Sequence, residues 1–268
     1  MSAVPLSDIE PLRPLLSNRH LGLFSDIDGT LSPIVPRSED AKVTPRCRSL
    51  LRRLMDHGVL VALITGRTLD VARAMVRLDG AAYAASHGLE FWVDGQSEVA
   101  AVGDEFPESI DRVIQEANGL ALIGVSIELK GQGVAFHYRQ APDEARAVAE
   151  IERVIDSAAA GRFRRIDGRK VIELRPRVEA DKGTAARRLA HQLGVKSIIC
   201  LGDDRTDIDM FRAVAALHRE GVKGRSVAVL SPEAPPDLLA AADYSVDGVP
   251  GVEWLMAQLA EAVRQTAA

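Results

Sequence analysis

The chain has 268 residues, with 33 Lys plus Arg against 38 Asp plus Glu for a formal net charge of −5, and it is 47% hydrophobic and 26% charged. That length accommodates one large domain or two modest ones. The composition excludes disorder, and the mildly acidic balance excludes the basic footprint that nucleic acid or an anionic membrane surface requires. No apolar run approaches the ~18 residues of a membrane span, so neither nucleic acid nor membrane is expected as a partner.

Met1 to Pro14 has no basic start and no apolar stretch, so no secretory leader is expected. Cys47 and Cys200 are too few for a disulfide framework or a zinc cluster, and both lie among apolar neighbours. Two inert buried thiols in a reduced, cytoplasmic setting are the expectation.

Leu21-Gly22-Leu23-Phe24 is a short apolar run leading into Asp26-Ile27-Asp28-Gly29-Thr30, the pattern of a buried parallel strand. A helix is predicted from Thr44 as cap and Pro45 as first residue, with Leu50, Leu51, Leu54 and Met55 as its stripe and Gly58 as its stop. A second strand over Val59–Ile64 runs into Thr65-Gly66-Arg67. A helix over 69–78 follows, then a third strand over Ala82–Ala85 ending at Ser86-His87-Gly88.

The pattern changes near Asp104. A helix over 107–118 precedes a hairpin, Val125–Lys130 with Val134–Arg139 across Gly131-Gln132-Gly133. A long helix over 143–160 precedes a second hairpin, Phe163–Ile166 with Lys170–Leu174 across Asp167-Gly168. Strand and helix alternate again after Pro176, with helices over 182–193, 207–216 and 251–265 and strands over 197–201 and 227–230. The fold class read from this order is α/β: a Rossmann-like doubly wound parallel sheet, residues 1–103 and 178–268, with a small α+β domain inserted over 104–177.

Four motifs fall just past the carboxyl ends of strands or at a helix start, where open α/β sheets hold their ligands. They are Asp26-Ile27-Asp28-Gly29-Thr30, Thr65-Gly66-Arg67, Asp181-Lys182-Gly183 and Gly202-Asp203-Asp204-Arg205-Thr206-Asp207. Each has a plain reading alone: an Asx turn, a helix cap or a solvated first-turn lysine. Together they gather several carboxylates at one sheet edge, which repel unless a cation lies among them. Oxygen ligands without sulfur or imidazole suit Mg²⁺, and Thr65 and Lys182 would complete a phosphoryl site. Arg67 is read as the structural partner of a nearby acid, and Trp92 and Trp254 as packing residues.

In this order, each after a strand, the motifs resemble the haloacid dehalogenase superfamily of phosphatases. The resemblance implies Asp26 as the nucleophile and Asp28 as the general acid and base, whose backbone carbonyl faces the metal. It also implies Asp203 as a protein ligand, Asp207 behind it, and Asp204 either sharing a role or capping a helix. The insert's content and its place between Thr65 and Lys182 resemble the α/β cap of one branch. Several strings along the chain resemble the trehalose-6-phosphate phosphatase family: Ser86-His87-Gly88-Leu89-Glu90, Glu128-Leu129-Lys130, Ala135-Phe136-His137-Tyr138-Arg139, Arg169 to Pro176 and Gly202 to Phe211. The resemblance spans about Leu21 to Gly251; Met1 to Arg19 carries no signal.

Glu128 and Lys130 share one strand face, as His137 and Arg139 would on the next. Such groups on a rigid sheet grip sugar hydroxyls or a phosphate rim; the alternative is a solvated face laced with ion pairs. The resemblance favours sugar contacts by Glu128, Lys130 and Glu173, with His137, Arg139, Lys170 and His87 as further candidates. The expected activity is Mg²⁺-dependent hydrolysis of a small-molecule sugar phosphate, trehalose 6-phosphate first, sucrose phosphate or mannosyl-glycerate phosphate next. A phospho-accepting signalling receiver is the rival of another class. It would carry its phosphorylated Asp on a later strand than its acidic pair, and it has no use for the insert.

Overall fold

The computed structural model describes residues 2–17, 20–99, 105–120, 122–130, 133–159, 163–168, 170–176, 180–232 and 234–266. Several expectations fall outside them: Gly103 and Asp104 at the start of the insert, Gly131-Gln132 in its first hairpin, Ala160, Arg169 and Arg177. In chain order the elements begin with β1 (Val4–Pro5), α1 (Arg13–Leu16), β2 (Leu21–Ser25), α2 (Pro45–Asp56), β3 (Leu60–Ile64), α3 (Leu69–Val76) and β4 (Ala82–Ala85). Next come β5 (Glu90–Val93), β6 (Gln96–Val99), α4 (Glu105–Gly119), β7 (Ser126–Lys130), β8 (Gly133–His137), α5 (Glu144–Val154), β9 (Phe163–Gly168) and β10 (Val171–Pro176). The chain continues with α6 (Lys182–Gln192), β11 (Ser197–Gly202), α7 (Asp207–Arg219), β12 (Lys223–Leu230), α8 (Pro236–Ala241), β13 (Tyr244–Asp247) and α9 (Gly248–Thr266). Among the described residues no helix is long and apolar enough to cross a membrane. The chain divides into two compact units, Met1–Val99 with Ala180–Ala268, and Ala100–Glu179.

The larger unit is built on a nine-stranded sheet in the order β1-β13-β12-β11-β2-β3-β4-β5-β6. Strands β1 through β4 and β11 through β13 pair in parallel, with β2 between β11 and β3. Strand side chains alternate between faces, so a strand buried on both sides is apolar throughout. Leu21 and Leu23 of β2, with Val61 and Leu63 of β3, pack on one face with residues of α1, α2, α3 and α9. Phe24, Ala62, Ile64 and Cys200 pack on the other face with α6, α7 and α8. Helices on both faces make the doubly wound core that the alternating pattern predicts.

The sheet is not parallel throughout. Beyond β4, strands β5 and β6 run antiparallel as a hairpin across Asp94-Gly95, both in the left-handed region at φ 51° and 81°. The Asp-Gly turn signal is present in the sequence, but β6 is exposed along its whole length and lacks an apolar alternation that would mark it. At the opposite edge β1 pairs with β13 over two residues, too short for any periodic signature.

The smaller unit is a four-stranded antiparallel sheet, order β7-β8-β10-β9. Val134, Phe136, Ile172, Leu174 and Phe163 on one face form its core with Ile110, Val113 and Ala117 of α4 and Ile151 and Val154 of α5. Asp143 caps α5 by accepting from the Arg146 N–H, and α5 ends at Val154 in a single π turn rather than continuing to 160. Strand β8 ends at His137, so Arg139 is not on it. It lies exposed in the turn that Ala141 N–H closes onto the Tyr138 carbonyl. Strand β10 begins at Val171, after Lys170 at φ 63°.

Helix α2 starts where the sequence places it. The Thr44 hydroxyl oxygen accepts from the Cys47 N–H and its hydroxyl donates to Glu253 of α9. Replacing Thr44 with Ala removes both bonds, and we expect a loss of about 1–2 kcal/mol, read as a lower urea midpoint at unchanged slope, with Thr44→Ser close to the parent.

Candidate active site

Four segments converge at the carboxyl edge of the larger unit's sheet. Strands β11 and β2 are neighbours in register, Leu201 opposite Ser25, so Asp26 and Asp203 emerge side by side. The Asp26 N–H donates to the Leu201 carbonyl at 3.0 Å, extending the ladder by one bond. The following loop turns tightly, with Gly29 N–H donating to the Ser32 carbonyl and Ser32 N–H to that of Ile27. Gly29 sits at φ 81°, and any side chain there would occupy the space of the Asp203 carboxylate. On the other side of β2, Leu63 of β3 lies opposite Ser25, which sets Thr65 one position beyond the level of Asp26.

Lys182 opens α6, whose cap is a reciprocal pair between Asp181 and Thr184. Its ammonium is buried and meets two carboxylates, Asp26 Oδ1 at 3.0 Å and Asp207 Oδ1 at 2.7 Å. Asp207 Oδ2 accepts the N–H groups of Asp203 and Asp204, each at 3.0 Å. Asp207 thus accepts from Lys182 and from two backbone donors, and it holds the Asp203 loop in place. Gly202 is part of that arrangement, since a side chain on it would collide with Asp207. The Thr30 hydroxyl, itself buried, donates to Asp203 Oδ1 at 3.0 Å.

Carboxylate oxygens of Asp26, Asp203 and Asp207 lie within 4.8 Å of one another, all three side chains buried. One ammonium among three carboxylates leaves two negative charges uncompensated, and the groups register that. Burial raises Asp26 well above the ordinary carboxyl range, Lys182 pulls it back, and Asp207 and Asp203 push it further up. Burial, then Asp207, pushes Asp203 up to about 7 against the Thr30 bond and Lys182. Burial pulls Lys182 down, but Asp207 and Asp26 outweigh it and hold the ammonium above its ordinary value. A divalent cation would carry the missing charge, and a set of oxygen donors is what a hard cation takes. Asp26 and Asp203 could hold such an ion. Asp204 is exposed and stands outside the cluster.

Asp28 points elsewhere. Arg67 donates to both of its carboxylate oxygens at 2.7 Å. Sequence alone gives Arg67 a pairing role with some acid; which acid is fixed only by the approach of two adjacent strand ends. The Thr65–Arg67 loop is backed by Ser86-His87-Gly88, three successive residues in the left-handed region at φ 49°, 56° and 94°. Ser86 N–H donates to the Arg67 carbonyl and His87 N–H to that of Thr65. The His87 ring fills the space where Gly66 lacks a side chain. Glu90 anchors the turn through Ser86 Oγ and accepts from the Leu69 N–H at the start of α3. Thr30, Ser86 and Glu90 fall within strings that stand out in the sequence, but their individual roles exist only through these contacts.

A family model described as trehalose-phosphatase matches residues 24–247. The chain belongs to the trehalose-phosphatase family. This family member is 30% identical over 276 residues to a trehalose 6-phosphate phosphatase of Zea mays, a match covering 95% of this chain and 74% of that one. It is 37% identical over 213 residues to a trehalose-phosphate phosphatase of Mycobacterium leprae, covering 74% and 49%. It is also 35% identical over 259 residues to an uncharacterized glycosyl hydrolase of Mycobacterium tuberculosis, covering 88% of this chain and 19% of that one. The chain thus spans about a fifth of the length of the glycosyl hydrolase and about half of the Mycobacterium leprae relative. In fold it is similar to the C-terminal domain of a C. albicans trehalose-6-phosphate phosphatase, with a TM-score of 0.70 at 22% identity over 97% of this chain and 99% of that one.

In the smaller unit, Glu128 of β7 and Glu173 of β10 both lie directly opposite Ala135 of β8, one on each side and all on the face away from the helices. His137 shares that face and its Nε2 is 2.8 Å from Glu128. Glu173 is held by Arg175 through two bonds, at 2.7 and 3.0 Å. Lys130 ends β7 opposite Gly133. Lys170 does not join this group, because it pairs with Glu144 of α5 on the helix side, and Arg139 is in its turn. Both thiols are buried, Cys47 pushed up to about 11 and Cys200 well above its ordinary value, chiefly by burial.

The Asp203 shift has a consequence for stability. Between the ordinary carboxyl range and about 7, the metal-free folded chain keeps a proton that the unfolded chain releases, so the fold weakens as pH rises through that window. In EDTA the melting temperature should fall from about pH 5 to about pH 7.5, and Asp203→Asn should flatten the fall.

Proposed function

We propose that this chain is a Mg²⁺-dependent phosphatase that hydrolyses trehalose 6-phosphate to trehalose and phosphate through an aspartyl-phosphate. The observation that carries the reading is the buried Lys182 ammonium bridging Asp26 and Asp207 beside Asp203. The sugar is taken from what the Zea mays and Mycobacterium leprae relatives are named for. Oxygen donors and an uncompensated charge suit Mg²⁺, held by Asp26, Asp203 and the Asp28 carbonyl with Asp207 in support. When bound, the ion neutralises the charge of the phosphoryl group and of the acids around it.

Asp26 is the nucleophile. Lys182 lies against its Oδ1, favouring the ionised form and steadying phosphoryl oxygens. Thr65 Oγ1 accepts from the Arg67 N–H at 3.1 Å, which leaves its hydroxyl hydrogen to donate to a phosphoryl oxygen. As the bond from Asp26 to phosphorus forms, the bond to the sugar ester oxygen breaks, and that oxygen takes its electron pair and a proton from Asp28. Asp28 then takes a proton from water as the water attacks phosphorus. Phosphate leaves and the Asp26 carboxylate is restored.

The inserted unit supplies sugar recognition in this reading. Glu128 and Glu173, two strand spacings or roughly 10 Å apart, offer acceptors for hydroxyls across a disaccharide, with His137 between them and Lys130 at the strand end. His87 lines the phosphoryl end. A reduced, cytoplasmic setting suits the two buried thiols.

Phosphate release from trehalose 6-phosphate should require Mg²⁺, stop in EDTA, and fall to background in Asp26→Asn. Across a panel of sugar phosphates, trehalose 6-phosphate should give the highest kcat/KM. A preference for a monosaccharide phosphate or a phosphoglycerate would sink the assignment of substrate. Glu128→Gln and Glu173→Gln should each raise KM for trehalose 6-phosphate by about tenfold or more, while turnover of p-nitrophenyl phosphate, which lacks the sugar, stays near the parent value.

A further inference from the structure

Arg67 is fixed in more ways than neutralising a charge requires. Its Nε donates to Asp28 Oδ2 and its Nη2 to Asp28 Oδ1, both at 2.7 Å, fork to fork. Nη1 donates to the Ser38 carbonyl at 2.9 Å, so the guanidinium cannot pivot without losing a third bond. The backbone is tied as well: Arg67 N–H donates to Thr65 Oγ1 and its carbonyl accepts from Ser86. The pair is largely shielded, 18% of the Arg67 and 30% of the Asp28 side chain being exposed. A loose surface ion pair contributes little, whereas a planar fork with fixed donors sets the plane and the reach of the carboxylate it holds.

We propose that Arg67 is the positioning residue of Asp28, aligning its carboxyl group with the ester oxygen that departs in phosphoryl transfer. This rests on the role of Asp28 given above. In the carboxylate form both oxygens accept from Arg67. In the acid form one oxygen still accepts from the fork, and the other carries the proton outward. When the bond from Asp26 to phosphorus forms and the ester bond breaks, the ester oxygen receives the bonding pair and that proton. Asp28 is then a carboxylate again and regains its second bond to Arg67. An alkyl oxygen is a poor leaving group and needs the proton, whereas p-nitrophenolate leaves without one.

That difference separates alignment of the acid from general support of the loop. The 268-residue chain with Mg²⁺ is assayed on p-nitrophenyl phosphate and on trehalose 6-phosphate, or on whichever alkyl phosphate it hydrolyses fastest. The readout is kcat/KM, which reports the first phosphoryl transfer for both esters. Arg67→Ala and Arg67→Lys should lose about 10²-fold on the alkyl ester and less than about threefold on the aryl ester, since Lys keeps the charge without the fork. Equal losses on the two esters, no loss on either, or full recovery in Arg67→Lys would overturn the proposal. Asp28→Asn serves as the reference and should show the same split. If it falls equally on both esters, the role of Asp28 itself is wrong, and the alignment proposal goes with it.

Discussion

The arrangement depends on one buried ammonium. Lys182 lies between Asp26 and Asp207 with almost no access to water, and without it three buried carboxylates would face one another with no ammonium between them. Its placement explains several otherwise separate features. Asp207 spends its second oxygen on two backbone N–H groups, which fixes the loop carrying Asp203. Thr30 reaches across to orient Asp203 from the opposite loop. One positive charge does not balance three negative ones, and burial, with the neighbouring carboxylates adding to it, raises the proton affinities of Asp26 and Asp203. Burying unpaired charge is costly, and a counter-ion among these oxygens would relieve it.

Much of the larger unit is readable from sequence because each signal there has a local cause. The buried strands are continuous apolar runs, α2 announces itself by Thr44 and Pro45, and the acidic motifs stand where strands end. What escapes is whatever draws its stability from neighbours. Strand β1 is two residues long and exists through pairing with β13, and β6 is exposed with no apolar face. In the smaller unit both hairpins are legible as pairs of strands, but Asp167 and Gly168, expected as the second turn, pair with Ile172 and Val171 inside the ladder, and the end of β8 is not legible either. Nothing in Phe136 to Arg139 marks where the ladder stops, so Arg139 reads as a strand residue although it lies in a turn.

The site shows the same division. Asp26, Asp203, Asp207 and Lys182 are legible as a set, since acids at the carboxyl edge of a parallel sheet have few plain explanations together. Their partners are not. Thr30 has no role until its contact with Asp203 is seen, and Arg67 reads as the partner of some acid until its contacts name Asp28. The left-handed run at Ser86 and His87 has no marker beyond the neighbouring Gly88, yet it braces both the Thr65 and the Arg67 carbonyls. Two side-chain-bearing residues held in that region store backbone strain, which the contacts around the Thr65–Arg67 loop must offset.

Thr30 and Asp203 are joined by a hydrogen bond that spans 173 residues of chain, and the strands behind them are direct neighbours in the sheet. The two halves of the cluster therefore cannot meet until β11 has been added beside β2. A ribosome-bound chain that has emerged only as far as the inserted unit holds Asp26 and Asp28 but neither Lys182 nor Asp203. A pairing between segments so far apart in sequence raises the contact order of this topology, and closing so long a loop is entropically costly. The acidic cluster is thus completed only once the two ends of the chain have met, and a fragment that retains one side of the sheet lacks it.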